Sequence, residues 1–314
     1  MSRIHDALKK AAEERAAVPT PDAAALPVES ANAPLTSGTD AASASVPAWV
    51  AAVTPPARDY LRFDDLTVRC AQPQWHLDPK MNVFFNPDRG SRGAEQFRTL
   101  RSRLGQLRDN GNRPLRTLLV TSAIPAEGKT YVANNLAQAI VRQPDLRVLL
   151  IDADLRCSRL HVPLGAPAAP GLTDYLRGEA DELAIIQHGT ERNLCFIPAG
   201  NEVKNPSELL ANSRLKKLLD RVTPVFDWII LDSPPCLPVA DASVLAEHCD
   251  GVLLVVRAGA TPSATVQRAC QELQARNVVG VVLNGVQGAD TYGLYSYDDY
   301  THVHRDSDLK PVVS

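Results

Sequence analysis

From Arg116 onward the chain alternates between short apolar runs and stretches with helical periodicity. The apolar runs, which we predict to be β-strands, lie at 116–121, 147–152, 194–198, 228–232, 251–257 and 278–284. Before the last run, the spacing of Val266, Ala269, Cys270 and Leu273 predicts an apolar face on a helix. This alternation is typical of an α/β fold with a doubly wound, mostly parallel sheet.

The first apolar run leads into a loop of the kind that binds phosphate. The loop ends in Gly128, Lys129 and Thr130, and a helical pattern follows it. Glycine lets backbone amides approach phosphate oxygens, the lysine can bind the β- and γ-phosphates of a nucleotide, and the threonine hydroxyl can ligate Mg²⁺. The strict form of this loop has glycine at position 123, where this chain has Ala123.

Two later apolar runs end at carboxylates. The run at 147–152 ends in Asp152 and is followed by Asp154 and Arg156, and the run at 228–232 ends in Asp232. Because the carboxyl ends of parallel strands meet at one edge of a sheet, we expect these aspartates to lie near the phosphate loop. Carboxylate oxygens are preferred ligands of Mg²⁺. Taken singly, each aspartate could instead be a helix N-cap or a turn residue.

With these motifs the chain resembles the bacterial tyrosine kinases, P-loop kinases of capsule and exopolysaccharide export that are related to partition and division-site ATPases. The resemblance rests on Gly128-Lys129-Thr130, on Asp152-x-Asp154-x-Arg156 and on Asp232-Ser233-Pro234-Pro235. A Glu-x-x-Arg-x-x-Arg pattern at Glu95, Arg98 and Arg101 and an Asn-Pro-x-Glu-Leu-Leu segment at 205–210 match as well. The resemblance covers about residues 86–300.

Three residues depart from the sequence patterns of the related families. The related partition and division-site ATPases carry a signature lysine where this chain has Ile124. Cys157 and Ser158 stand where an arginine-proline pair is common in the kinases, so we expect a different loop shape after Arg156.

The resemblance implies an ATP-dependent protein-tyrosine autokinase that regulates polysaccharide polymerisation and export. The catalytic residues it implies are Lys129, Asp152, Asp154 and Asp232, and Mg²⁺ would be held by Thr130, Asp152 and Asp232. Either Asp154, our choice, or Asp152 would accept the tyrosine proton. We predict ATP contacts from Ala126, Glu127, Gly128, Lys129, Thr130, Tyr131, Arg156 and Asn284. Asn284 would recognise adenine by resemblance, or it could simply form an Asn-Gly turn.

A tyrosine cluster follows the last predicted strand and supplies candidate phosphoacceptors. Its members are Tyr292, Tyr295, Tyr297 and Tyr300. An edge strand is the alternative, but Gly293 and the neighbouring acidic residues oppose it. The resemblance implies phosphorylation of this tail between subunits of a ring-like homo-oligomer, with Glu95, Arg98 and Arg101 at the subunit interface.

The predicted organisation has four parts. Residues 1–16 form an amphipathic helix, and 17–58 form an Ala/Pro-rich linker that we expect to be disordered, since it holds no cation from Ala17 to Ala57. Residues 59–290 form the kinase domain, in which 59–85 are an irregular preface. Residues 291–314 form a flexible tyrosine-rich tail.

Composition adds limits on partners and location. A net charge of -3 over 314 residues with scattered basic positions argues against nucleic-acid binding. Six cysteines without Cys-x-x-Cys spacing indicate reduced thiols of a cytosolic protein. We see no signal peptide or membrane span. We therefore expect a cytoplasmic protein. The resemblance implies that it is peripheral at the inner face of the membrane through a chain-length-determinant or polysaccharide co-polymerase adaptor, and that it has a cognate tyrosine phosphatase.

Two other functions stay open. One is a nucleotide-switched positioning ATPase of the partition or division-site type, against which Ile124 and the tyrosine cluster argue. The other is a non-catalytic ATP-binding scaffold of the export complex, against which the intact Lys129 and strand-end aspartates argue.

Overall fold

A single sheet organises the part of the chain that the computed structural model describes, residues 61–85, 90–107, 111–189, 191 and 193–286. Its strands are β1 (Thr117–Ser122), β2 (Val148–Asp152), β3 (Gln187–His188), β4 (Leu194–Ile197), β5 (Trp228–Asp232), β6 (Gly251–Arg257) and β7 (Val278–Asn284). Their order across the sheet is β3-β4-β2-β5-β1-β6-β7. Only β3 and β4 pair antiparallel among these strands. The predicted doubly wound, mostly parallel fold is confirmed.

The helices lie between these strands and before the first of them. They are α1 (Phe63–Arg69), α2 (Gly90–Gln106), α3 (Lys129–Val141), α4 (His161–Leu164), α5 (Leu172–Arg177), α6 (Glu182–Ile185), α7 (Pro206–Leu210), α8 (Ser213–Val222), α9 (Asp241–Ala246) and α10 (Ser263–Glu272). Among these described helices, none combines the length and apolar character that a membrane-spanning segment needs.

The sheet separates two hydrophobic cores. In β1, Leu119 faces one core while Leu118 and Val120 face the other, because successive side chains of a strand point to opposite sides. The three central strands β1, β2 and β5 are buried along their whole length. Burial on both faces explains why each of these strands is a nearly continuous apolar run.

The segment before α2 is better ordered than the irregular preface that we predicted. It contains helix α1, whose Phe63 packs edge-on against Phe226 with ring centroids 5.9 Å apart. On the other side of the sheet, Trp75 packs edge-on against Phe196 at 6.1 Å. The segment therefore contributes to both cores.

Two other details differ from the sequence predictions. Ala269 of α10 and Leu273, which follows the helix, are buried, and Val266 is partly buried. Cys270 is exposed, so it does not belong to the apolar face that we predicted. The two-residue strand β3 was not predicted. The predicted N-terminal helix, the linker and the four tail tyrosines lie outside the described residues.

Candidate functional site

The loop between β1 and α3 has the backbone shape that its sequence requires. Gly128 has a φ of 93°, and a Cβ there would lie 2.0 Å from the side-chain nitrogen of Asn284. Position 128 therefore accepts only glycine. Ala126 also has a positive φ, 65°. Ala123 is fully buried and its φ is not positive, so alanine replaces the usual glycine there without backbone strain.

Glu127 fixes this loop to the neighbouring strands. Its buried carboxylate accepts hydrogen bonds from the Ile124 amide (2.9 Å), the Arg257 amide (3.3 Å) and the Thr261 hydroxyl. The Asn284 side chain, at the end of β7, donates to the Glu127 carbonyl oxygen at 2.8 Å. Asn284 thus anchors the phosphate loop, a contact that neither adenine recognition nor an Asn-Gly turn had suggested.

Lys129, the first residue of α3, forms an ion pair with the second aspartate of the β2 motif. Its Nζ lies 3.2 Å from Asp154 Oδ2, and both side chains are largely buried. The other Asp154 oxygen accepts a hydrogen bond from the Cys157 amide at 3.0 Å. The motifs on β1 and β2 therefore meet directly.

Asp152 and Asp232 face each other as register partners at the ends of β2 and β5. Asp152 accepts three hydrogen bonds, from the Ser158 hydroxyl (2.7 Å), the Leu160 amide (3.1 Å) and the Asp154 amide (3.2 Å). Within the described part of the chain, neither carboxylate oxygen of Asp232 has a hydrogen-bond partner. The two aspartates are thus equally buried, but in the described structure only Asp152 has hydrogen-bond partners for its carboxylate oxygens.

Burial raises the pKa of both aspartates, because it penalises the charged carboxylate. For Asp152, the hydrogen bonds from Ser158 and Leu160 oppose the rise. The pKa of Asp232 is raised further by the charge of Asp152, against the lowering effects of Lys129 and the nearby Thr130 hydroxyl. The negative charges of Asp152 and Asp232 are therefore unfavourable in this site, and a bound cation would stabilise them.

The donor set fits Mg²⁺. The unpaired buried oxygens of Asp232 lie close to the Thr130 hydroxyl, and oxygen ligands are those that Mg²⁺ prefers. Among the described residues, no group of three His, Cys, Asp or Glu side chains could hold a metal ion by itself. An ion here would therefore need nucleotide phosphates and water as well, as is usual for Mg²⁺ in phosphoryl-transfer sites.

Several predicted residues make contacts with the protein itself. The Arg156 guanidinium pairs with Asp241 at the start of α9, with a shortest distance of 2.7 Å. The Tyr131 ring packs against Phe97 of α2 at 6.1 Å. Their predicted contacts with ATP stay predictions. Sequence reasoning missed Asp241 as the partner of Arg156, since no local pattern marks it.

The three predicted interface residues divide into two environments on α2. Glu95 and Arg98 form an exposed ion pair at 2.9 Å. Arg101 instead donates from Nη1 to the carbonyl oxygen of Ala139 in the last turn of α3, at 2.8 Å. Contact of these residues with a second subunit stays a prediction.

Comparison with known proteins places this site in a family. A family model described as an AAA domain matches residues 126–275. The tyrosine-protein kinase YwqD of Bacillus subtilis is 32% identical over 222 residues, which cover 69% of this chain and 92% of the relative. The chain belongs to the bacterial tyrosine kinases. The structure of the kinase domain of Escherichia coli tyrosine kinase Etk shares 36% identity, covers 58% of this chain and 72% of its own, and has a TM-score of 0.53.

Other relatives are much longer than this chain. EpsB of Ralstonia nicotianae is 34% identical over 223 residues, which cover 68% of this chain but only 29% of the relative. The chain therefore corresponds to nearly the whole of one kind of family member and to less than a third of another.

Proposed function

We propose that the chain is an ATP-dependent protein-tyrosine autokinase that regulates polysaccharide polymerisation and export. The observation that carries the proposal is the ion pair of Lys129 with Asp154 at the start of α3, beside Asp232, whose oxygens are unpaired and whose carboxylate interacts electrostatically with both residues. The tyrosine cluster after β7 supplies the acceptor, and relatives named tyrosine-protein kinases support the reaction.

The residues of the phosphate loop would bind and orient ATP. Bound Mg²⁺ would neutralise charge on the β- and γ-phosphates during phosphoryl transfer. Thr130 and Asp232 would hold the ion, since the oxygens of Asp232 are free of other partners. Asp152 would hold it less directly, because the Ser158 hydroxyl and two backbone amides already occupy its oxygens. Lys129 would stabilise charge on the transferring phosphoryl group.

Asp154 is the better candidate to accept the tyrosine proton. A free tyrosine has a pKa of about 10, so a positioned carboxylate assists its deprotonation. One oxygen of Asp154 is held by the Cys157 amide, and the other is bound only to Lys129. When Lys129 turns to a phosphate, that second oxygen becomes available. Asp152 has no oxygen that is similarly free.

The proposal extends to partners. A membrane adaptor of the chain-length-determinant or co-polymerase type would hold the kinase at the cytoplasmic face of the membrane and promote nucleotide binding. Copies of the chain would assemble into a ring and phosphorylate each other's tails, and a tyrosine phosphatase would reverse the modification. The E. coli, Salmonella typhimurium and Streptococcus agalactiae relatives named tyrosine-protein kinases support this class of system.

The test is incubation of the purified chain with labelled ATP and Mg²⁺, with and without the cytosolic tail of a candidate adaptor. We expect phosphotyrosine at the tail cluster and its loss in Lys129→Met, which removes the lysine charge while leaving both cores intact. ATP turnover without phosphotyrosine would favour the positioning ATPase. Undiminished labelling in Lys129→Met would overturn the site assignment.

A further inference from the structure

Arg156 is bound to a buried carboxylate. Its Nε donates to Asp241 Oδ2 at 2.7 Å, and its Nη2 donates to Asp241 Oδ1 at 3.1 Å. The Asp241 side chain is completely buried, whereas 39% of the Arg156 side chain is exposed. Two-point pairing of this kind is geometrically specific, and a buried carboxylate left without its arginine would be costly. The fold therefore requires Arg156 to face Asp241.

A serine completes this contact and brings in a third part of the chain. Arg156 Nη2 also donates to Ser207 Oγ at 2.8 Å, and the Ser207 hydroxyl donates to Asp241 Oδ1. Ser207 belongs to α7, Asp241 opens α9, and Arg156 lies in the loop after β2. We name this set of three side chains the Arg156 clamp.

The loop that the clamp holds carries the candidate proton acceptor. Asp154 lies two residues before Arg156, and hydrogen bonds from the Cys157 amide to Asp154 and from the Leu160 amide to Asp152 further tie the loop on either side of Arg156. On the other side, Asp241 follows the β5 loop that begins at Asp232. The clamp therefore joins the two loops that bear the catalytic carboxylates.

We propose that Arg156 is a positioning residue, which sets the place of Asp154 relative to Asp232 through Asp241 and Ser207, and that it does not bind the nucleotide. The proposal rests on the proposed kinase function for its catalytic readout. Its geometric part stands without that function, because the clamp fixes the loop whether or not tyrosine is the acceptor.

The first test separates kcat from KM in Arg156→Ala. Misplacement of a catalytic group by about 1 Å can slow a reaction on the order of 100-fold, so we expect kcat for tail labelling to fall about 10- to 100-fold. The KM for ATP should stay within about threefold, because Lys129, Thr130 and Asp232 are unchanged. Arg159→Ala, an exposed arginine in the same loop, is the matched control and should keep both values. A tenfold rise in KM with kcat retained would overturn the proposal in favour of nucleotide binding.

A second variant guards against misfolding. Arg156→Ala leaves the buried Asp241 carboxylate without its cation, so Arg156→Ala combined with Asp241→Asn is measured alongside the two single variants. Residues that act as one unit give non-additive losses, so the double variant should lose no more activity than Arg156→Ala alone. Losses that multiply would mean that the two residues act independently, and the clamp would be wrong.

Hydrogen exchange tests the clamp apart from the kinase reaction. We expect the amides of residues 154–160 to exchange several-fold faster in the double variant, while those of α8 keep their rates. Unchanged exchange in 154–160 would refute the clamp even in an active kinase. Faster exchange together with an absence of tail labelling in the unaltered chain would refute the kinase function and leave the clamp standing.

Discussion

At the scale of single residues, the facing aspartates Asp152 and Asp232 differ in their hydrogen bonding. Asp152 is satisfied by the protein and shapes the loop that follows β2, whereas Asp232 is buried with both oxygens unpaired. An unpaired buried carboxylate costs stability in the absence of a cation. We therefore expect Asp232 to lower the stability of the metal-free protein, and we expect bound Mg²⁺ to offset this cost.

We predict that Asp232→Asn stabilises the metal-free protein while abolishing tyrosine transfer. A raised pKa in the folded state means that the folded protein binds a proton more tightly than the unfolded chain, so Asp232 lowers stability as the pH rises above about 4, the ordinary aspartate pKa. The gain in the free energy of unfolding from asparagine should therefore be larger at pH 8 than at pH 5, and at pH 8 it should be on the order of 1–3 kcal/mol. Thermal melting at both pH values measures it.

The control for this prediction is Asp220→Asn, which changes an exposed aspartate paired with Lys216 and should shift Tm little at either pH. Mg²⁺ with a nucleotide should stabilise the unaltered chain and have much less effect on Asp232→Asn. A lower Tm for Asp232→Asn at pH 8 would show that the Asp232 charge is compensated within the metal-free protein.

Residue types at strand ends could be predicted from the sequence, but their partners could not. The aspartates and Lys129 stand out because charge interrupts apolar runs, and the parallel sheet then brings them together. The pairing of Arg156 with Asp241 joins positions 85 residues apart in sequence, and nothing local distinguishes it from a phosphate contact. Whether Arg156 contacts Asp241 or a phosphate depends on which group lies nearest to it once the chain has folded.

At the scale of elements, strands were more predictable than helices. Every predicted strand is present with its ends shifted by at most one residue. The central strands are apolar throughout because they are buried on both faces, whereas the partly exposed edge strand β7 is marked by its run of β-branched valines. The short helix α1 was missed, since only two of its residues, Phe63 and Leu66, are buried and their spacing gives a weak signal. Strand β3 has only two residues, which is too short for a hydrophobic periodicity to be recognised.

The end of β7 provides a prediction at this scale. Asn284 donates to the Glu127 carbonyl oxygen, so Asn284→Ala should loosen the phosphate loop and weaken binding of ATP and GTP by the same factor, about three- to tenfold for one partly buried hydrogen bond. If Asn284 instead recognises adenine, only the affinity for ATP should fall, and the affinity for GTP should stay the same. Titration of both nucleotides distinguishes the two roles.

A matched control lies at the opposite end of the same strand. Asn277 makes the same kind of side-chain hydrogen bond, to the carbonyl oxygen of Asp250 at 2.7 Å, but at the edge of the sheet away from the phosphate loop. Asn277→Ala should cost similar stability without changing the affinity for either nucleotide. An equal loss of affinity in both variants would mean that general destabilisation, and not the anchoring of the loop, is responsible.

At the scale of the whole molecule, the proposed cycle of assembly depends on charge. Each phosphate adds a charge of about -1.5 to -2, so four modified tyrosines add roughly -6 to -8 beside Asp290, Asp298 and Asp299. Such a tail should leave a site lined by aspartates. Repulsion between neighbouring tails would then favour dissociation, more strongly at low salt than at high salt.

The structure indicates which α2 residue tests this assembly. Arg101 is hydrogen-bonded within its own subunit to Ala139, so its replacement would disturb α3 as well as an interface. Arg98 instead forms an exposed ion pair with Glu95, and its guanidinium lies over the Phe84 ring, 5.9 Å from the ring centroid. We expect Arg98→Glu to shift dephosphorylated protein toward the monomer in sedimentation and to make tail labelling much slower at equal concentration. Arg103→Glu makes the same charge change at an exposed position on the same helix and should have little effect. Transfer between subunits is wrong, even for an active kinase, if Arg98→Glu and phosphorylated protein sediment as the dephosphorylated chain does. It is also wrong if labelling is independent of protein concentration.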